Sequence, residues 1–141
     1  MAFCHLRLLI RVLMPMTAFL VEDSATIREE LIPALYELGN VEVLGYAEGE
    51  REAGRWLNQH GSNCDLVFID LFLKEGSGLG VLRDCGELGL PVRRIVLSNY
   101  ATQEMRRQAL ALGADAVFDK STELPELFDY CAGLGRASGT L

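Results

Sequence analysis

The sequence predicts an α/β domain in which helices cover both faces of a parallel β-sheet. Its length of 141 residues suits one domain with a substantial core. Five short apolar segments alternate with longer segments of helical periodicity, which is typical of repeated strand–helix units. The middle apolar segment, Leu66–Asp70, is apolar at nearly every position, as expected for a central strand buried on both faces.

The predicted strands share a short length and a predominance of apolar residues. They are Thr17–Val21, Val41–Ala47, Leu66–Asp70, Arg94–Leu97 and Ala116–Asp119. Because helices connect them, they should be parallel, with right-handed crossovers. We therefore predict a doubly wound (βα)5 fold whose five-stranded sheet has the flavodoxin-like order 2-1-3-4-5.

Capping and stop residues delimit the predicted helices. The first begins after Ser24 and stops at Gly39-Asn40. The others are Glu50–Gln59, Leu79–Cys85, Thr102–Leu112 with Thr102 as cap, and a last helix capped by Ser121 or Thr122 that ends near Leu134. We accordingly expect an N-terminal extension over residues 1–15, the folded domain over 16–134 and a flexible tail over 135–141.

Composition argues against several classes of protein. Half of the residues are hydrophobic and 23% are charged, a balance unlike that of disordered chains. The net charge of −7 argues against nucleic-acid binding, which usually leaves a basic footprint. The four cysteines form no C-x-x-C pair, so we expect reduced thiols in a cytoplasmic protein and no zinc site; they are Cys4, Cys64, Cys85 and Cys131.

The N-terminal stretch Met1–Met14 is apolar but is interrupted by His5, Arg7 and Arg11. It is too short to span a bilayer and lacks the small-residue cleavage site of a signal peptide. We expect no membrane association, and the alternative is an amphipathic helix that binds a membrane or a partner.

Charged side chains follow three of the predicted strands at their carboxyl ends. Glu22 and Asp23 follow the first, Asp70 ends the third and Lys120 follows the fifth. Open α/β sheets bind ligands at this edge. Three carboxylates there repel one another unless a divalent cation or an ammonium lies among them. Each residue alone is explained by helix capping or a turn, but together they predict a metal-dependent acidic site.

These positions, with Ser98 after the fourth strand, resemble the receiver domains of bacterial two-component response regulators. The loop Asp70-Leu-Phe-Leu-Lys-Glu-Gly-Ser-Gly78 and the segment Ala109-Leu-Ala-Leu-Gly-Ala-Asp-Ala116 also resemble the family. The resemblance covers roughly residues 16–134 and implies the CheY-like version of the predicted fold.

The resemblance implies a Mg²⁺ site and a phosphoacceptor. Asp70 would be the nucleophile that forms an aspartyl phosphate. Asp23 and Asp70 would bind Mg²⁺, Glu22 would do so directly or through water, and the third protein ligand would be the backbone carbonyl of Phe72.

The remaining family positions would contact the phosphoryl group. Lys120 would act as a point charge on its oxygens, and the Ser98 hydroxyl would hydrogen-bond one of them, which pulls the fourth loop inward. We further predict that the rings of Phe72 and Tyr100 hinder the attacking water and lengthen the lifetime of the phosphoryl group.

The chain departs from common receiver patterns at several places. Glu22 replaces an aspartate and Ser98 replaces a threonine. Ser121 stands where a proline in a cis bond often follows the lysine, so the geometry of that loop is open. Val117 occupies the position of the usual rotating aromatic residue, so either the aromatic switch is absent or another side chain serves in its place.

The resemblance implies a receiver in a phosphorelay rather than an enzyme, with at most slow self-catalysed phosphorylation and dephosphorylation. We expect it to stand alone and to signal through a partner, and a phosphate shuttle or sink in a relay is equally open. The phosphoryl donor would be a histidine kinase or a histidine phosphotransfer protein, and a downstream protein would bind at about Thr102–Leu134. A homodimer is also open.

The sequence is compatible to different degrees with three other functions. A phosphate-independent interaction module is the main alternative. A flavin-binding protein is disfavoured because Glu22-Asp23 would repel a phosphate. A phosphohydrolase of the haloacid-dehalogenase type is disfavoured because Ala25 replaces its second aspartate.

Overall fold

The computed structural model describes residues 14–99 and 101–139, without the side chains of 136–139, and its strands and helices alternate throughout. The strands are β1 (Met16–Val21), β2 (Val41–Ala47), β3 (Leu66–Asp70), β4 (Arg93–Ser98) and β5 (Ala116–Asp119). The α-helices are α1 (Ala25–Gly39), α2 (Glu50–His60), α3 (Gly78–Glu87), α4 (Gln103–Ala111) and α5 (Leu124–Gly139), and a short 3₁₀ turn, Gly61–Asn63, follows α2.

The five strands form one parallel sheet in the order β2-β1-β3-β4-β5, which confirms the predicted topology. The register aligns the carboxyl ends of the central strands, because Val21 pairs with Ile69 and Ser98 pairs with Asp119. The residues that follow β1, β3, β4 and β5 therefore meet at one edge of the sheet.

Two apolar layers, one on each face of the sheet, form the core. Every residue of β3 is buried, as the apolar run predicted, and its side chains alternate between the layers. Val67 and Ile69 pack with Phe19 in one layer, and Phe68 packs with Leu20 in the other. The Phe19 ring also stacks on Trp56 of α2 at 3.9 Å between centroids. The rigid central strands thus fix the edge that carries the acidic residues.

The largest difference from the predicted boundaries lies at the last helix. It begins at Leu124 rather than after a Ser121 or Thr122 cap, because Pro125 suits the first turn, where no backbone N–H is needed. It continues to Gly139, beyond the Leu134 at which we expected it to end. Similarly, α3 starts at Gly78 with Ser77 as its cap, one residue before the predicted start.

Other expectations are confirmed or fall outside the described part of the chain. Ser24 caps α1 by accepting a hydrogen bond from the N–H of Ile27 at 3.3 Å, as predicted. Residues 1–13, which include Cys4, lie outside the described residues. Within the described ranges, no helix is both long and apolar enough to cross a membrane.

Candidate functional site

Three carboxylates gather at the carboxyl edge of the sheet, as the sequence predicted. Glu22 and Asp23 follow β1, and Asp70 is the last residue of β3. One carboxylate oxygen from each lies within 4.8 Å of the other two. Their proximity follows from the pairing of Val21 with Ile69, which ends the two strands at the same height.

The ammonium of Lys120 lies between two of these carboxylates. Its Nζ is 2.7 Å from Glu22 Oε1 and 3.2 Å from Asp70 Oδ2. The side chains of Lys120, Glu22 and Asp70 are 7%, 2% and 9% exposed, so solvent screens these ion pairs weakly. The structure therefore brings together residues that are 98 positions apart in the chain.

Burial and the neighbouring charges shift the pKa values of this site in opposite directions. Burial raises the pKa of Glu22 above its ordinary value even though the Lys120 ammonium acts in the opposite direction. For Lys120, burial lowers the pKa, but the hydrogen bond to Glu22 and the charge of Asp70 outweigh it and raise the pKa overall. The ammonium therefore stays charged between the carboxylates at neutral pH.

The acidic cluster fits a divalent cation. The single ammonium balances one of three carboxylates, which leaves the charge that one Mg²⁺ would neutralise. All the ligand atoms are hard oxygens, the type that Mg²⁺ prefers. Glu22, Asp23 and Asp70 could therefore hold the ion, and a cation there would remove the cost that burial places on Glu22.

The loop that follows β3 is built tightly around Asp70. The Phe72 N–H donates to Asp70 Oδ1 at 3.2 Å, and the Lys74 N–H donates to Asp23 Oδ2 at 2.8 Å. Gly78 closes the loop, and a Cβ at this position would lie 2.3 Å from the carbonyl oxygen of Asp70. Only glycine permits this approach, so the glycine eight positions after the aspartate has a steric reason.

Ser98 lies at the carboxyl edge of the sheet, but its hydroxyl does not donate a hydrogen bond to the carboxylates. It is fully buried, and its hydroxyl donates to the carbonyl oxygen of Asn99 at 3.0 Å. The Phe72 side chain is 62% exposed beside the site. Tyr100, the other ring expected near the site, lies outside the described residues.

Comparison with known proteins identifies the family. The family model for the response regulator receiver domain matches residues 18–132. This chain is a receiver domain. Receiver domains are in general phosphoacceptor modules of two-component signalling rather than enzymes. The fold described above is accordingly the CheY-like form of the flavodoxin fold.

Individual relatives and structures agree with this assignment. A probable transcriptional regulatory protein of Picosynechococcus is 34% identical over 82% of this chain and 47% of its own length. The virulence transcriptional regulatory protein PhoP of Salmonella typhimurium is 30% identical over 89% of this chain and 54% of its own length. This chain thus spans about half the length of these relatives. The fold matches the CheX–CheY–BeF3–Mg complex of Borrelia burgdorferi with a TM-score of 0.76 at 19% identity, covering 86% of this chain and 90% of that chain.

Arg28 is a residue of this receiver's site that sequence reasoning missed. Its guanidinium donates to the backbone carbonyl of Glu22 at 2.8 Å and pairs with Glu48 at 3.1 Å. It also lies over the Tyr46 ring, 4.1 Å from the centroid. A signal was present, because Arg28 precedes Leu31 by three positions on the apolar face of α1, where an arginine needs buried partners.

Glu50 at the start of α2 is a second residue that the sequence did not single out. Its Oε1 accepts the N–H of Ser77 at 2.9 Å, and its backbone N–H donates to the carbonyl of Glu75 at 3.1 Å. The carboxylate fills the space above Gly80, where a Cβ would lie 2.1 Å from it. Glu50 thereby holds the loop after β3 from the far side.

Three cysteines of this receiver lie in the described part of the chain, and all three are buried. Cys64, Cys85 and Cys131 are free and buried. Burial raises the pKa of Cys64 and Cys85 to about 11 and that of Cys131 to about 12, so the reactive thiolate is scarce at neutral pH. Reduced thiols at these three positions stay a prediction.

Proposed function

We propose that this receiver accepts a phosphoryl group on Asp70 in a Mg²⁺-dependent reaction. The observation that carries the proposal is the position of the Lys120 ammonium, which bridges Glu22 and Asp70 beside the third carboxylate of Asp23. A structural ion pair needs only one carboxylate partner, whereas a phosphoacceptor site needs acidic ligands, a nucleophile and a cation in one place.

The ion would be held by Glu22, Asp23, Asp70 and the backbone carbonyl of Phe72. When bound, Mg²⁺ would neutralise the charge that builds up on the transferring phosphoryl oxygens. The carboxylates would orient it, and the Lys74 N–H that binds Asp23 holds one of these carboxylates in place.

The residues of the chain supply the rest of the chemistry. A carboxylate oxygen of Asp70 forms the bond to phosphorus while the bond from phosphorus to the donor breaks, and its electron pair leaves with the donor. The Phe72 N–H and the Lys120 ammonium already hold the two oxygens of Asp70. Once the phosphoryl group is present, Lys120 contacts its oxygens, and the Ser98 hydroxyl leaves Asn99 to donate to it.

The family assignment supports a proposal for the phosphoryl donor and for the output surface. We propose that the donor is a histidine kinase or a histidine phosphotransfer protein in the cytoplasm. The output surface would lie at about Thr102–Leu134, where α4, β5 and α5 adjoin the loops that carry Ser98 and Lys120. The names of PhoP and the Picosynechococcus relative describe transcriptional regulators about twice as long as this chain.

Phosphate-affinity gel electrophoresis tests the proposal. The protein is incubated with acetyl phosphate and Mg²⁺, or with EDTA, and a retarded band is expected only with Mg²⁺. Asp70→Asn should abolish the band, whereas Asp129→Asn, which changes an exposed aspartate of α5, should leave it unchanged.

Absence of a band from the folded wild-type protein would contradict reaction with small donors. Transfer from a phosphorylated histidine phosphotransfer protein is then the deciding assay. Failure there as well would favour the alternative, a receiver that binds partners without phosphate.

A further inference from the structure

The carboxylate of Asp119 connects the two loops that carry the phosphoryl-contacting residues. Asp119 ends β5 beside Ser98 and is buried. Its Oδ2 accepts the N–H of Ala101 at 3.1 Å, three residues beyond Ser98. Its Oδ1 accepts the N–H of Ser121 at 2.8 Å and also the Ser121 hydroxyl. One side chain therefore ties the loop after Ser98 to the residue after Lys120.

Arg106 of α4 holds the same loop from its other side. Its Nε donates to the carbonyl of Ala101 at 3.2 Å, and its Nη1 donates to the carbonyl of Val117 at 3.0 Å. Its Nη2 pairs with Glu123, whose carboxylate also accepts the N–H of Asp119 at 2.9 Å. The N–H and the carbonyl of Ala101 are thus both held by charged side chains, an arrangement that we call the Ala101 clamp.

The carboxylates of Asp119 and of Glu123, the partner of Arg106, are charged. Hydrogen bonds from Ser121, and a further one from Ala101, lower the pKa of Asp119. The hydrogen bond from Arg106 lowers the pKa of Glu123. Charge-assisted hydrogen bonds are stronger than neutral ones, so Asp119 and Glu123 hold their hydrogen-bond donors more firmly than neutral acceptors would.

The Ala101 clamp is formed in the same structure in which the Ser98 hydroxyl is turned toward Asn99, which we call the resting position of Ser98. The Ser98 hydroxyl is used within its own loop, where it donates to the carbonyl of Asn99. To reach a phosphoryl group on Asp70, this hydroxyl must leave Asn99, and any displacement of Ala101 that accompanies this change would have to break the contacts with Asp119 and Arg106. In place of the usual rotating ring this chain has Val117, whose carbonyl Arg106 binds. The connection between the site and α4 therefore runs through polar contacts.

We propose that Asp119 and Arg106 are positioning residues that hold the loop after Ser98 in its resting position and so lower the affinity of the site for a phosphoryl group. The inference rests on the proposed phosphorylation of Asp70. Contacts made only in the resting conformation reduce the apparent affinity of any ligand that needs the other conformation. Loss of the clamp should therefore strengthen binding of a phosphoryl analogue.

The test measures binding of beryllofluoride, a phosphoryl analogue, in the presence of Mg²⁺ by titration of ¹⁵N-labelled protein. Asp119→Ala and, separately, Arg106→Ala should each tighten binding roughly three- to tenfold. A merely structural lesion would loosen the site and weaken binding. The matched control is Arg107→Ala, which removes the neighbouring exposed arginine and should change the affinity less than about twofold.

Amide exchange of Ala101 supplies a second readout without any ligand. In metal-free protein, Asp119→Ala should accelerate exchange of the Ala101 N–H, because its acceptor is gone. Unchanged exchange, or analogue binding that is unchanged or weaker in both clamp variants, would overturn the inference while leaving phosphorylation of Asp70 intact. If the folded wild-type protein binds no analogue, the proposed phosphorylation of Asp70 fails, and the proposed role of Asp119 and Arg106 fails with it.

Discussion

Replacing Lys120 by methionine tests the electrostatic balance of the site most directly. The ammonium is buried and lies 2.7 Å from Glu22 and 3.2 Å from Asp70. Methionine has a similar length but no charge, so Lys120→Met leaves three carboxylates close together with no cation between them. We expect the metal-free variant to be substantially less stable than the wild type.

The size of the loss follows from the two distances. At an effective dielectric constant of about 20, unit charges at 2.7 and 3.2 Å attract with about 6 and 5 kcal/mol. The cost of burying the charges offsets much of this attraction. Removal of one partner from a buried ion pair typically costs about 3–5 kcal/mol, and we expect a loss of that size in the free energy of unfolding.

Magnesium should reverse part of this loss. Lys120 and a cation compete for the same carboxylates, so the variant should bind Mg²⁺ more tightly than the wild type does. Well above the dissociation constant, each tenfold gain in affinity adds about 1.4 kcal/mol of stability. Urea unfolding of both proteins in EDTA and in Mg²⁺ measures the two effects separately.

Lys74→Met is the matched control, because Lys74 lies near the same carboxylates but is exposed. Its stability in EDTA should differ from that of the wild type by no more than about 0.5 kcal/mol. If Lys120→Met loses no more than this control, or if Mg²⁺ stabilises both variants equally, the ammonium does not balance the carboxylates and the reasoning is wrong.

Three further predictions concern the surroundings of the site. Gly78→Ala should cost about 2–4 kcal/mol in urea unfolding, because its Cβ would lie 2.3 Å from a backbone oxygen. Gly86→Ala in the same helix has nothing within 4 Å and should be neutral or stabilising, so equal losses would contradict the steric argument. The pKa of Glu123 is lowered from its ordinary value of 4.5 by Arg106, so its contribution to stability is present above pH 4.5 and is lost as the pH falls through the folded-state pKa. Glu123→Gln should therefore flatten the decline in stability below pH 4.5, and an unchanged slope in acid unfolding would refute this assignment. Finally, Phe72→Asn should shorten the lifetime of the phosphorylated protein severalfold if the exposed ring hinders water, and an equal rate of phosphate release would exclude that role.

The fold was predictable because its signals are local. Strand β3 is buried along its whole length, so its apolar run identified it without ambiguity. Ser24 before α1 and Thr102 before α4 are capping residues whose side chains accept the expected N–H groups. The start of the last helix was predicted wrongly because Ser121 hydrogen-bonds the Asp119 carboxylate at the end of β5 instead of capping the helix. Only the structure shows this contact.

The acidic cluster was also predictable, although its partners were not. Glu22, Asp23 and Asp70 follow strands whose carboxyl ends must share one edge, so their proximity is a consequence of topology. Arg28 was missed because its place on the apolar face of α1 signals burial but does not name its partner, the carbonyl of Glu22. Glu50 was missed because its partner lies in the loop after β3. No periodicity in the sequence encodes a hydrogen bond to a distant backbone atom.

The sequence by itself determined the alternation of strands and helices, the edge that carries the charged residues and the absence of an aromatic ring at Val117. The tertiary structure alone decided that Lys120 bridges Glu22 and Asp70, and that the peptide bond before Ser121 is not cis. It also decided that the Ser98 hydroxyl is turned toward Asn99. Apolar periodicity and capping are read along a few consecutive residues, whereas an ion pair or a rotamer depends on atoms that distant segments bring within about 3 Å.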